Sequence, residues 1–259
     1  MHMSSPRLRA VLLVTLVIIA AHPARANIYS GNTNNGFGGA VGNGSMSVTN
    51  DGSGGLDISY TLTSGSTFAA LGNDVVVYLD NSKGSGITST TGLDDTGDGG
   101  REAVGENGSA GQSILNFGGL MAPQYGIDFE NGFGDIFQIN TGSTLSFIDG
   151  ADPGTTSGLG LSYTVSGGTA TIDIPSADFG LPSFSGDVLK LASLEVSETG
   201  FSSNEGTETL SGPDGTGHTQ TLTGVDTFTL AVPEGSTLGM LACGTGILVV
   251  WRRGRVGRK

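Results

Sequence analysis

Between residues 44 and 232, apolar side chains recur at every second position over short runs, and the runs are separated by Gly, Ser, Thr, Asn and Asp. In LDISYTLT, Leu56, Ile58, Tyr60 and Leu62 share one face; in TATIDIP, Ala170, Ile172 and Ile174 do the same. A period of two belongs to a strand buried on one side, because successive side chains of a pleated backbone point to opposite faces. Strands are expected on this basis at 44–50, 56–63, 73–80, 112–117, 125–130, 134–140, 143–149, 161–165, 169–175, 187–197 and 225–232. The run Val75-Val76-Val77-Tyr78-Leu79 is continuously apolar, which predicts a central strand covered on both faces. Helical periodicity is nearly absent before residue 236. Asn43-Gly44, Asn107-Gly108 and Asn131-Gly132 offer positive-φ turn positions. The pattern predicts an all-β fold, an antiparallel two-sheet sandwich in one domain of about two hundred residues. Ile28 to Gly44 reads as an irregular lead-in and Ser202 to Gly224 as a long loop or weak hairpin, while Tyr60, Tyr78 and Tyr163 read as core or cross-strand residues.

The two ends depart from this pattern. MHMSSPRLR is basic and precedes a twelve-residue apolar run, Ala10 to Ala21, then His22-Pro23 and Ala24-Arg25-Ala26. The run is short for a bilayer span, and a basic start, an apolar run and an A-x-A site mark residues 1–26 as a signal peptide cleaved after Ala26. At the other end, Val232-Pro233-Glu234 precedes sixteen uncharged residues, Ser236 to Trp251, and then Arg252-Arg253-Gly254-Arg255. As a helix that run extends about 24 Å, slightly under a ~30 Å hydrocarbon core, and flanking arginines can snorkel to cover the difference. The positive-inside rule puts Arg252 to Lys259 in the cytoplasm and residues 27–231 outside.

Charge sharpens the contrast. Eight of the eleven Lys and Arg residues lie in the two ends, leaving Lys83, Arg101 and Lys190 against 23 acidic residues in 27–231, a net charge of −20. Nucleic acid is excluded as a partner, since phosphate contacts need clustered cations. A hydrated matrix and cation association suit such a charge. The one cysteine, Cys243, lies in the C-terminal apolar run, so the exported segment has no disulfide, no thiol nucleophile and no cysteine metal ligand. Its one histidine, His218, sits in the turn-rich GPDGTGHTQT and reads as an exposed loop residue; no nucleophile elbow accompanies it. Acidic residues are plentiful enough that a glycosidase-type pair would be distinguished only by geometry.

The stretch GLDDTGDGGRE places Asp94, Thr96 and Asp98 at alternating positions before Gly99, like the opening of a calcium loop. The twelfth position, where an EF-hand has Glu, is Gly105, and Glu106 comes one place late. These three residues are the candidate metal ligands, in a looser calcium site than an EF-hand. Glycan stacking favours tryptophan, and the sole one, Trp251, borders the tail; Tyr29, Tyr125 and the phenylalanines are the substitutes.

Two resemblances add to this reading. NDVVVYLDN at 73–81, then IDIPSADFGLP at 172–182 and GDVLKL at 186–191, resemble the ordering of DOMON-like and family-9 carbohydrate-binding sandwiches, with Phe179 where leucine is usual. That resemblance implies a jelly-roll or DOMON-like sandwich. The C-terminus resembles the PEP-CTERM sorting signal on Val232, Pro233, Glu234 and Ser236, the apolar run 236–251 and Arg252, Arg253 and Arg255, with Gly235 in place of the family's second proline. It implies processing by an exosortase-type membrane peptidase, transient anchoring in the inner membrane through the C-terminal helix, and delivery to the cell envelope or to extracellular polymer. The expected organisation is a signal peptide at 1–26, an exported β-sandwich at 27–231 and a sorting tail at 232–259. The expected function is that of a non-enzymatic surface or matrix protein, with exopolysaccharide as a partner. A glycan-binding module on the same tail is the alternative, and a polysaccharide-acting enzyme the third reading.

Overall fold

The structure, a computed structural model, describes residues 26–50, 55–108, 111–179, 187–212 and 218–230. All of them belong to one unit, Ala24–Pro233. The expected signal peptide except for Ala26, the V-P-E motif and the helix at 236–251 lie outside the described residues. Among the described residues no helix is long and apolar enough to cross a membrane.

In chain order the elements are β1 (Asn27–Ser30), β2 (Ser45–Asn50), β3 (Leu56–Thr61), α1 (Phe68–Leu71), β4 (Asp74–Asp80), α2 (Gly99–Gly105), β5 (Ile114–Asn116) and β6 (Tyr125–Phe129). They continue as β7 (Gly134–Asn140), β8 (Thr144–Ala151), β9 (Thr155–Thr156), β10 (Ser162–Ser166), β11 (Thr169–Ile174), β12 (Val188–Val196), β13 (Leu210–Ser211), β14 (Thr219–Leu222) and β15 (Asp226–Thr229). Two six-stranded antiparallel sheets form, in the orders β1-β2-β3-β11-β10-β9 and β15-β12-β4-β6-β7-β8. Alternation decides what lies between them. Met46, Val48, Ile58, Tyr60 and Ile172 of the first sheet meet Val75, Val77, Leu79, Ile127 and Leu191 of the second in one apolar core, the arrangement of a β-sandwich.

The second sheet is also covered on its outer face. Val76, Tyr78, Phe137 and Leu194 pack there against Val104 of α2, Leu115 of β5, Phe117 and Leu222 of β14. A third small sheet, β13-β14-β5, forms part of this outer layer. All seven residues of β4 are therefore buried, as the unbroken apolar run predicts. Tyr60, Tyr78 and Tyr163 are fully buried core residues. Ser202 to Gly224 yields the short antiparallel pair β13-β14.

Two expectations are corrected. Of the three Asn-Gly pairs, only Gly108 adopts positive φ. Gly44 is required for close approach, since a Cβ there would meet the Thr61 carbonyl oxygen at 2.4 Å. The lead-in from Ile28 is also not irregular from its start: Ile28, Tyr29 and Ser30 pair with β2 as an edge strand.

Candidate functional site

One end of the second sheet's outer face carries carboxylates where the rest carries apolar groups. Asp74 opens β4 on the side chain parity of Val76 and Tyr78, both members of the outer core. Val76 pairs with Asp128 on β6, and Asp128 pairs with Asp135 on β7, so these residues share that face. Val75 pairs with Phe129, which brings Asp74 beside Glu130 at the strand ends. Val196 of β12 pairs with Asp74, and Glu198 stands two residues beyond it. Four adjacent strands thus contribute Glu198, Asp74, Asp128 with Glu130, and Asp135 to one patch.

The start of α2 forms its rim. Asp98 is the helix N-cap, accepting the Arg101 backbone N–H at 2.9 Å, and Gly99 and Gly100 follow it over the patch. A Cβ at Gly100 would stand 3.0 Å from Oδ2 of Asp128 and 3.1 Å from Oδ2 of Asp135, so both carboxylates converge under this turn. Asp98, Gly99, Gly100, Glu130, Asp135 and Glu198 line a cavity of about 310 Å³, together with Phe133 and the half-exposed Phe147. One oxygen from each of Asp74, Glu130 and Glu198 lies within 4.8 Å of the other two.

The electrostatics are one-sided. Asp74, Asp128 and Asp135 are 2 %, 1 % and 5 % exposed, and Asp74 Oδ2, Asp128 Oδ1 and Asp135 Oδ1 have no hydrogen-bond partner among the described residues. Burial, then Glu130 and Glu198, raises Asp74 to about 8. Burial, then the charges of Asp74, Asp135 and Glu130, holds Asp128 well above the carboxylate range. Burial, with Asp98, Glu130 and Asp74, does the same to Asp135, and Arg101 only partly opposes it. Glu130 is raised too, by burial and by Glu198 and Asp98. The three basic residues among the described ones are engaged elsewhere. Lys83 pairs with Asp187, and Lys190 Nζ donates to the Leu120 carbonyl at 2.6 Å. Arg101 donates to the Leu145 carbonyl at 2.5 Å and lies over the Phe137 ring, keeping only a 3.9 Å approach to Asp98 at the rim. Like charges directly opposite on paired strands destabilise a sheet, so Asp128 and Asp135 require protons or a cation between them.

The residues expected to bind metal are placed differently from one another. Asp94 is exposed and accepts both the hydroxyl of Thr96 at 2.8 Å and its backbone N–H at 3.3 Å; these bonds lower its pKa. Asp94 N–H donates to the Ser143 carbonyl, fixing the loop beside the β7–β8 turn. Asp98 alone reaches the cavity. His218 is exposed, as expected. Tyr29 donates to the Thr227 carbonyl at 2.6 Å and Tyr125 to the Phe179 carbonyl at 2.8 Å, so both are tied to backbone. Sequence reasoning missed Asp74, Asp128, Glu130, Asp135 and Glu198. One signal was present: Asp128 and Asp135 are equidistant from the Asn131-Gly132 turn, so a hairpin centred there sets them opposite each other.

Chemically, this is an oxygen-only donor set in a polar cavity with an aromatic edge, fit to hold protons or a hard cation. Comparison of the chain with protein-family models and with curated proteins finds no match.

Proposed function

We propose that this chain is a non-enzymatic, exported β-sandwich protein of the cell envelope or extracellular matrix, delivered by its N-terminal signal and sorted through its C-terminal tail by an exosortase-type membrane peptidase. The observation that supports the reading is an acidic β-sandwich lying between the two end signals of the sequence. Among the described residues the strands run from Asn27, one residue after the A-x-A site, to Thr229, three residues before Val232. The finer fold that accompanies this reading is a jelly-roll or DOMON-like sandwich. Pro233 fixes its own φ and disfavours helix at Val232, so the stretch between the last strand and the apolar run is suited to a peptidase. Discarded apolar tails follow the same logic in lipid-anchored proteins.

Mass spectrometry of protein recovered from the native surface is expected to find no peptide containing Trp251, with the mature chain ending between Val232 and Gly235. A Pro233→Ala, Glu234→Ala variant is expected to remain uncleaved and in the membrane fraction. Recovery of surface protein with its Arg and Lys tail intact, or normal sorting of the double variant, would show that the tail is a plain anchor.

A second reading, a glycan-binding module on the same tail, is favoured by Phe147. It is 51 % exposed at the edge of the polar cavity, a face on which a sugar ring can stack. Glycan-array binding that Phe147→Ala abolishes supports this reading. Release of oligosaccharides from the bound glycan would instead mark the cavity as hydrolytic.

A further inference from the structure

We propose that the carboxylate cluster adjoining the acidic cavity is a calcium site, in which Asp74, Glu130 and Glu198 supply ligand oxygens and Asp98, Asp128 and Asp135 add negative charge nearby. The proposal stands independently of the export route. Calcium takes six to eight oxygens at about 2.3–2.6 Å, so two ligands on opposite sides of one ion are separated by about 4.6–5.2 Å. The mutual 4.8 Å limit on the Asp74, Glu130 and Glu198 oxygens meets that condition for a single centre. The cavity's 310 Å³ leaves space for waters to complete the shell.

Clustered acids alone would indicate no more than a solvated surface. Here a second observation points to a ligand. Asp74 Oδ2 and Asp128 Oδ1 belong to side chains that are 2 % and 1 % exposed, and neither atom has a hydrogen-bond partner among the described residues. Buried polar groups in native proteins are ordinarily satisfied, and an unsatisfied one points to water or an ion. The three ligands also come from separate parts of the sheet, Asp74 opening β4, Glu130 following β6 and Glu198 following β12. An ion held by them ties three strand ends together and offsets the repulsion across the nearby Asp128–Asp135 pair. The carboxylate number and wide cavity suit calcium, whereas magnesium demands a tighter octahedron and retains its waters.

The test is calorimetric titration and thermal melting of the full chain in mild detergent, after chelator treatment. Calcium is expected to bind saturably and to raise Tm by roughly 5–10 °C at one hundred times Kd, with magnesium weaker. Asp74→Asn combined with Glu130→Gln is expected to weaken calcium binding at least about tenfold, while its Tm in chelator equals or exceeds that of the parent because like charges are removed. Glu198→Gln, at an exposed position, is expected to weaken binding with a chelated Tm equal to or above that of the parent. Asp94→Ala is expected to leave binding unchanged. Absence of saturable binding, equal response to magnesium, or parental affinity in both variants would overturn the proposal. Loss of binding in Asp94→Ala alone would overturn it also, by moving the ion to the 94–98 loop.

Discussion

At the scale of single residues, the notable feature is how many carboxyl groups are buried without a cation. Glu106 is the simplest case, because it stands at the C-cap of α2 outside the acidic cavity. Burial pushes it up to about 8 from an ordinary 4.5, against the opposing influence of the nearby Ser202 and Tyr78 hydroxyls. The Tyr78 hydroxyl lies 2.7 Å from the Val104 carbonyl and 3.4 Å from Glu106 Oε1, so its proton is committed mainly to Val104. A neutral Glu106 is the form that this site accommodates. The sign follows from linkage: between 4.5 and about 8 the folded state holds a proton that the unfolded state has released. Stability from this group is fully present below 4.5 and declines as pH rises, by at most ~1.4 kcal/mol per pH unit, until about 8. Glu106→Gln, neutral at every pH, removes that slope. Urea unfolding at pH 5, 6, 7 and 8 in chelator is expected to show the variant gaining on the parent as pH rises. Asp74, at about 8, and Glu195, at about 7, slope the same way in both proteins and cancel in the difference. A difference that does not change with pH would show Glu106 ionised in the fold.

At the scale of elements, the segment from Gly31 to Gly44 shows how an irregular stretch is fixed without a ladder. Glu205 is fully buried, and its carboxylate accepts the backbone N–H groups of Phe37 at 2.7 Å, Gly39 at 2.9 Å, Val41 at 3.1 Å and Gly42 at 3.0 Å. Asn32 adds side-chain bonds to the Asn204 and Glu208 carbonyls, both at 2.8 Å. The loop is thereby wound about one acceptor, as a strand end would be about several. Removing that acceptor leaves four N–H groups to find water in a buried place. Glu205→Ala is expected to cost about 3–5 kcal/mol and to accelerate amide exchange at Phe37, Gly39, Val41 and Gly42 first, ahead of the amides of β10 and β11. Exchange that accelerates equally everywhere would mean that Glu205 holds the whole fold and not this loop.

At the scale of the whole described unit, β4 joins two cores through one backbone. Val77 faces the core between the sheets and Val76 the core under α2 and the third sheet. Since alternate residues of one rigid strand serve both, the layers are expected to unfold together. Val76→Ala and Val77→Ala are each expected to lower stability by roughly 2 kcal/mol and to shift one cooperative urea transition, seen alike by circular dichroism and tyrosine fluorescence. Separate transitions in the Val76→Ala variant would mark the outer layer as an independent unit. The same strand carries Asp74 at its end, so an ion in the acidic cavity would be read by both cores.

The sequence by itself determined the elements whose identity depends on local period. Eleven expected strands are present as β2 to β8, β10 to β12 and β15, with ends shifted by a few residues at most. Burial of β4 on both sides followed from its unbroken apolar run, because period and hydrophobicity are properties of consecutive residues. Elements held by distant partners escaped it. The short strands β1 and β9 take their ladders from β2 and β10, the hairpin β13-β14 gains β5 as a parallel neighbour from about a hundred residues away, and α2 begins in Asp98-Gly-Gly, a poor helical start stabilised by its cap and by packing over β6. The metal reading shows the division most clearly. In the sequence, Asp94, Thr96 and Asp98 are neighbours and Asp74, Asp128, Asp135 and Glu198 are spread over more than a hundred positions. Register brings the dispersed set together, while Asp94 and Thr96 bond locally to each other. Pairing across strands fixes which carboxylates share a face, and that is a property of the sheet, beyond the reach of any short stretch of chain.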